Sequence, residues 1–169
     1  GNFRYYVVKN IDKVAKEDLV SQMPNGYEFY ENITEYKVSI RKIVHSAFSA
    51  EEKKIVELVM DEHEQIQYYS IELDKETLIL HTSSLRKEDY EQFQADMAKI
   101  EMYQRYDTRL AFAKENEQYV VFRPCHFPGY PAWIPLETNP DLNYLASKYT
   151  PHIYQESMLQ FWIEGEEDF

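Results

Sequence analysis

Hydrophobic and polar positions along this chain follow a cadence. Three times, two short stretches of alternating apolar and polar residues, joined by a turn, lead into apolar residues at helical spacing. The paired stretches begin near Tyr27, Tyr68 and Asp107, so the steps between units are 41 and 39 residues. Such spacing predicts one structural unit used repeatedly. The expected fold is α+β: a largely antiparallel sheet of about six to seven strands built from strand-strand-helix units, with helices packed on it and two short helices at the C-terminus.

The pattern assigns elements in order. Residues 3–9 read as a strand with apolar residues on both faces, and Lys16 to Met23 as a short helix stopped by Pro24-Asn25-Gly26. Tyr27 to Glu31 then pairs with Tyr36 to Val44. In the second of these, Tyr36, Val38, Ile40 and Val44 form the apolar face, and Lys37, Ser39 and Arg41 the polar one. The polar face is expected to pair its charges across the hairpin, with Glu28 as the natural partner.

The first long helix carries the clearest start signal, the capping box Ser49-Ala50-Glu51-Glu52, followed by Val56, Val59, Met60 and His63. A second hairpin turns at Asp74-Lys75-Glu76, and its helix is expected to bury Tyr90, Phe93, Met97 and Ile100. A third hairpin turns at Glu115-Asn116-Glu117. The cadence then breaks: five of the seven prolines lie from Pro124 to Pro140, and the next helix is delayed to Pro140, with Asn139 as its cap. Thr150-Pro151 starts a last helix with Tyr154, Met158, Phe161 and Trp162 on one side, and residues 164–169 are expected to fray.

Composition narrows the picture. A chain of 169 residues with 44% hydrophobic and 15% aromatic residues can bury a core, and a single domain over 1–169 is expected. Gly1 in place of Met fits a piece of a longer protein, and Gly1-Asn2-Phe3-Arg4 reads as the start of a strand rather than a secretory leader. No apolar run approaches the roughly 20 residues of a membrane span. The net charge is −12, unevenly spread. Residues 1–48 carry seven Lys/Arg against six Asp/Glu, and residues 49–169 carry eleven against twenty-four. That balance disfavours nucleic acid and anionic membranes as partners and favours a basic protein. One cysteine, Cys125, suits a reducing, cytoplasmic setting.

Chemistry is thinly signalled. With four glycines and no phosphate-cradling cluster, nucleotide binding is not expected, and no cofactor is implied. Asp61-Glu62-His63-Glu64 spreads its ligand atoms around a helix, so His63 reads as the rim of the core and no metal site is assigned. Cys125 and His126 point apart in extended chain, and only the fold can bring His81 or His152 to the thiol. No catalytic residue is assigned.

The stretch that looks specialised is residues 123–136, stiffened by prolines. Two readings stay open. It closes the end of the core with Trp133 and Ile134 buried, or it presents rigid aromatics to a peptide or small ligand. The candidate binding residues are Arg123, His126, Phe127, Tyr130 and Trp133, and Tyr130-Pro131 is a candidate cis bond. The expected function is a non-catalytic, acidic protein-interaction domain engaging a basic partner. The alternatives are a small-ligand sensor with an aromatic and acidic cleft, and a hydrolase using a metal or Cys125.

Overall fold

A computed structural model of the chain describes residues 4–8 and 11–161. The chain divides into two compact units, residues 1–45 and 46–169. The fold is α+β, and its strands are shared between two antiparallel sheets rather than joined in one: a two-stranded ribbon in the first unit and a five-stranded sheet in the second.

In residues 1–45 the ribbon pairs β1 (Tyr27–Asn32) with β2 (Lys37–Lys42). Asn32 shapes the connection, its Oδ1 accepting hydrogen bonds from the backbone N–H of Thr34 at 3.2 Å and of Glu35 at 3.1 Å. The cross-ribbon charge pairing is present: Arg41 Nε donates to Glu28 Oε1 at 3.1 Å, and the guanidinium lies 3.9 Å from the Tyr30 ring centroid. Residues 4–8 are irregular, because a strand is defined by its ladder and none reaches them; the ends of that expected strand lie outside the described residues. The helix expected over residues 16–23 shrinks to one 3-10 turn, Lys16–Asp18, whose N-cap, Ala15, has no side-chain acceptor. No described residue of this unit is buried, consistent with how little apolar surface a single ribbon can cover.

Residues 46–169 begin with α1 (Ala50–Asp61) and continue as a meander in which neighbours in sequence are neighbours in the sheet. The strands are β3 (Tyr69–Asp74), β4 (Thr77–Ser83), β5 (Tyr106–Glu115), β6 (Gln118–Pro124) and β7 (Trp133–Asn139). Two short helices, α2 (Lys87–Phe93) and α3 (Met97–Tyr103), interrupt β4 and β5, and α4 (Leu142–Tyr149) follows β7. Alternate residues Leu78 and Leu80, Leu110 and Phe112, with Val121, join Val56 and Met60 of α1 and Leu142, Leu145 and Tyr149 of α4 in one buried cluster. Full burial of each such side chain stabilises by about 1.5–3 kcal/mol, against about 0–1 for an exposed ion pair. Burial of this one sheet face therefore dominates. No described helix is long and apolar enough to cross a membrane.

Three helical expectations change. The stripe Tyr90, Phe93, Met97, Ile100 does not lie on one helix: Gln94 (φ +48°) and Ala95 (φ +61°) end α2 in the left-handed region, and the Asp96 carboxylate caps α3 by accepting from Lys99 N–H. Met97 is consequently exposed. The helix expected from Pro140 starts two residues later, because Asp141 is the residue whose side chain accepts the Tyr144 N–H. Past it the chain tightens into 3-10 turns, Thr150–His152 and Glu156–Gln160, and Trp162 lies outside the described residues. The proline-rich stretch also holds a strand that the pattern conceals, β7, with Pro135 inside it. An edge strand tolerates a residue without an N–H, and β7 is an edge.

The capping box of α1 is formed, and it does more than cap. Ser49 Oγ accepts from Glu52 N–H at 3.2 Å, and Glu52 Oε1 accepts from Ser49 N–H at 2.8 Å. The same carboxylate receives Lys114 Nζ at 2.7 Å from β5 and a short hydrogen bond from the Tyr119 hydroxyl of β6. Burial opposes its charge, but these donors prevail and hold its pKa down at about 2. A depressed carboxylate pKa adds stability that is complete above the unfolded value of 4.5 and lost as pH falls toward the folded value of about 2. Glu52→Gln is expected to cost about 1.5–3 kcal/mol at pH 7. Urea melts should show the gap to the native chain closing between those two pKa values; a gap independent of pH would count against the carboxylate's charge.

Candidate functional site

The proline-aromatic segment is the connection between β6 and β7, and the structure separates its residues. Pro124 pairs with Trp133 and Arg123 with Ile134; Cys125 N–H extends the ladder to Ala132 O at 2.8 Å. Beyond that rung a turn forms, closed by Tyr130 N–H to Phe127 O at 3.3 Å. Pro128 takes its second position and Gly129, at φ +87°, its third, the pattern of a type II turn. A Cβ at Gly129 would meet nothing within 4 Å, so the dihedral alone demands glycine there.

The five candidate residues thus fall into two sets. Arg123 is buried, its Nε donating to Phe161 O at 2.7 Å and its Nη1 to Pro124 O at 3.1 Å, which ties the C-terminal turns to the sheet. Trp133 is half-buried beside the fully buried Ile134. His126 and Phe127 stand exposed at the tip, Phe127 with 57% of its surface in solvent. Tyr130 is half-buried and meets the Phe127 ring edge-on, centroids 6.4 Å apart. The segment both seals the sheet and presents an aromatic tip. The described residues contain no cis peptide bond, so Tyr130-Pro131 is trans.

A hydroxyl–imidazole–carboxylate series that the sequence did not single out crosses three strands. His81 Nδ1 lies 2.9 Å from Thr108 Oγ1 and His81 Nε2 lies 3.1 Å from Glu72 Oε2. The order of groups is that of a nucleophilic triad, but a nucleophile also needs oxyanion donors converging on a space for substrate. Thr108 pairs directly with His81 beside the register shift at Leu80/His81, and His81 is buried between its two partners. The trio satisfies a buried imidazole and clamps β3, β4 and β5 across the irregularity. Its sequence signal was only His81 among the apolar residues of β4.

Of the apolar stripe expected to be buried in the α2–α3 elbow, Tyr90, Phe93 and Ile100 are half-buried and Met97 is exposed. Met97, Met102 and Tyr103 are 62%, 74% and 55% exposed, and no residue of α3 is buried. Phe93 stacks on Tyr103 at 5.8 Å. The base of the insertion is closed by Ser84, whose Oγ donates to Tyr103 O and whose N–H donates to Arg105 O, and by Tyr90, whose hydroxyl donates to Gln104 Oε1. The unread signal was Asp96, a helix-capping residue in the middle of the supposed helix.

Two cavities stand out for what lines them, each within one unit. Residues 4–40 enclose about 820 Å³, with Tyr5, Tyr6 and Phe29 in the lining together with Glu17 and Asp18. In the second unit a groove of about 710 Å³ runs between the end of α1 and the turn after α4, past Leu58, His63, Ser147 and Pro151. Among the described residues, no three His, Cys, Asp or Glu side chains converge to hold a metal ion. Cys125 is buried. Compared with family models, curated proteins and solved structures, the chain finds no match in any of the three.

His63, at the groove, has both ring nitrogens engaged. Nδ1 accepts the Gln65 N–H at 3.0 Å, so the proton sits on Nε2, which faces Thr150 O at 3.0 Å. Burial holds its pKa below the usual 6.5, against the opposing pull of the Thr150 carbonyl. A histidine pKa depressed by folding means that the unfolded chain binds the extra proton first, so stability falls as pH drops below 6.5. NMR titration of the ring should give a midpoint under 6.5, and a midpoint above it would show that the neutral tautomer is not the one held.

Proposed function

We propose that residues 46–169 form a non-catalytic protein-interaction module whose primary contact is the β6–β7 tip. The observation that carries this reading is the exposure of Phe127 on a turn fixed by Pro128 and Gly129, between buried flanks at Cys125 and Ile134. Such an aromatic loses little conformational entropy when it is covered, which is what an anchoring residue at an interface requires. Glu52 and Glu137, whose pKa values are lowered, are by contrast engaged in holding elements together. The tip itself carries no acidic residue, so the basic partner inferred from net charge must find its carboxylates elsewhere.

Phe127→Ser tests the reading. Because the ring is exposed, the variant should melt within about 0.5 kcal/mol of the native chain. Affinity capture from a native lysate should yield a stoichiometric partner with the native chain and lose it with the variant. Equal capture by both chains, or no stoichiometric partner for either, sinks the proposal.

A second reading, for residues 4–40, rests on the cavity there. Tyr5, Tyr6 and Phe29, with Glu17 and Asp18 outnumbering the one guanidinium of Arg4, make a lining suited to a small organic cation, through the ring faces and the net negative charge together. Benzyltrimethylammonium at millimolar concentration is expected to shift the NMR signals of Phe29 and Ile40 and leave those of the second unit in place. Unmoved signals for both residues would remove this reading.

A further inference from the structure

Two connections of the second unit leave the sheet from the same end. Ser83, the end of β4, pairs with Tyr106, the start of β5; Pro124, the end of β6, pairs with Trp133, the start of β7. Because successive strands are antiparallel, these four termini share one end of the sheet, and the α2–α3 insertion and the β6–β7 tip both leave the sheet there. Their strand pairs are centred two strands apart, about 10 Å.

The connections differ in chemistry. Residues 125–132 contain no Asp, Glu, Lys or Arg. Residues 87–103 contain Glu88, Asp89, Glu91, Asp96 and Glu101 against Lys87 and Lys99, five minus two, a net of −3. Both lysine and acid numbers thin further at the base, where Lys87 Nζ donates to His63 O and Arg86 lies 3.6 Å from Asp89. Glu91, Asp96 and Glu101 are exposed, and so are the methionines between them. A helix with apolar side chains over most of its circumference and none of them buried is ordinarily found under a covering element. Methionine suits such a surface, since its flexible thioether adapts to the shape of what it meets.

We infer that this end of the sheet is one docking surface for a cationic amphipathic segment of another protein. Its apolar residues cover Met97, Met102 and Phe127, and its Lys and Arg residues face Glu91, Asp96 and Glu101. The inference rests on the interaction-module reading and names the partner's chemistry. Charge selects this occupant over the others: an anionic membrane is repelled by the elbow, and a second copy of a chain of net charge −12 brings mainly like charge.

An 18-residue amphipathic helical peptide of Leu and Lys serves as the probe, with a Leu/Glu peptide of the same pattern as control. In methyl-labelled protein the probe is expected to shift Met97 and Met102 while the buried Met60, and Met23 in the first unit, stay in place. Affinity should fall about tenfold or more between 50 and 300 mM NaCl, as exposed charge pairs are screened. The double variant Met97→Ser/Met102→Ser and, separately, Phe127→Ser should each weaken binding by about tenfold, a change of 1.4 kcal/mol. Unchanged melting of both variants, all at exposed positions, separates lost contact from lost fold.

Shifts centred on Met23, equal binding of the Leu/Glu peptide, or full affinity in the methionine double variant would each overturn the inference. So would concentration-dependent self-association of the native chain that the double variant abolishes, which would make a second copy the occupant. If Phe127→Ser loses its lysate partner while the methionine variant keeps the peptide, the tip reading survives and the composite surface fails.

Discussion

The second unit depends on covering one face of a five-stranded antiparallel meander. Leu78, Leu80, Leu110, Phe112 and Val121 present a contiguous apolar patch, and α1 and α4 are the elements that remove it from water. Their placement is then fixed by carboxylates at the rim. Glu52 receives Lys114 and Tyr119, and so fastens the start of α1 to β5 and β6. Glu137 of β7 receives Lys148 Nζ at 2.5 Å and the Tyr149 hydroxyl at 2.8 Å, and so fastens the end of α4 to the edge strand. Lys148, followed by Tyr149, keeps the Glu137 pKa below its usual value. Burial supplies most of the energy, and the two carboxylates add ties from α1 and α4 to the strands at the rim.

A meander makes its two ends unequal. At one, tight turns at Asp74–Thr77 and Glu115–Gln118 join neighbouring strands with nothing to spare. At the other, the longer connections between β4 and β5 and between β6 and β7 accumulate. The left-handed pair Gln94 and Ala95 belongs to the first of these, and left-handed backbone costs a non-glycine residue about 1 kcal/mol or more. The tight turns hold left-handed residues too, at Lys75, Asn116 and Glu117, so what sets the insertion apart is its exposed apolar surface: the turns at the opposite end show neither a helix nor an exposed large hydrophobic residue.

The cadence in the sequence anticipated the second and third hairpins because alternation and turn residues are local signals. Asp74-Lys75-Glu76 and Glu115-Asn116-Glu117 sit where the chain turns, and the Ser49/Glu52 box starts α1 at the expected residue. What failed was non-local. Whether residues 4–8 form a strand depends on a neighbour that alternation cannot supply, and β7 was hidden because Pro135 argues against a strand until its edge position is known. The break at Gln94–Ala95 was legible in Asp96, but the apolar stripe running through it carried more weight. At the β6–β7 segment the composition marked the right stretch. It could not divide Arg123, which the fold buries, from Phe127, which it exposes, since both belong to the same few residues and only the ladder between Pro124 and Trp133 separates them.

That division bears on how function is read from this chain. Several groups able to do chemistry are engaged in the fold: Glu52 and Glu137 with cations and hydroxyls, His63 with Gln65 and Thr150, and His81 with Thr108 and Glu72, while Cys125 is buried. A general base or nucleophile has to exchange its partner for substrate, and Glu52, Glu137, His63 and His81 would each surrender a bond that holds two elements together. Phe127, Met97, Met102 and Tyr103 are different, because they are exposed and covering them removes apolar surface from water. Under the proposed interaction reading, these are the side chains that a partner covers.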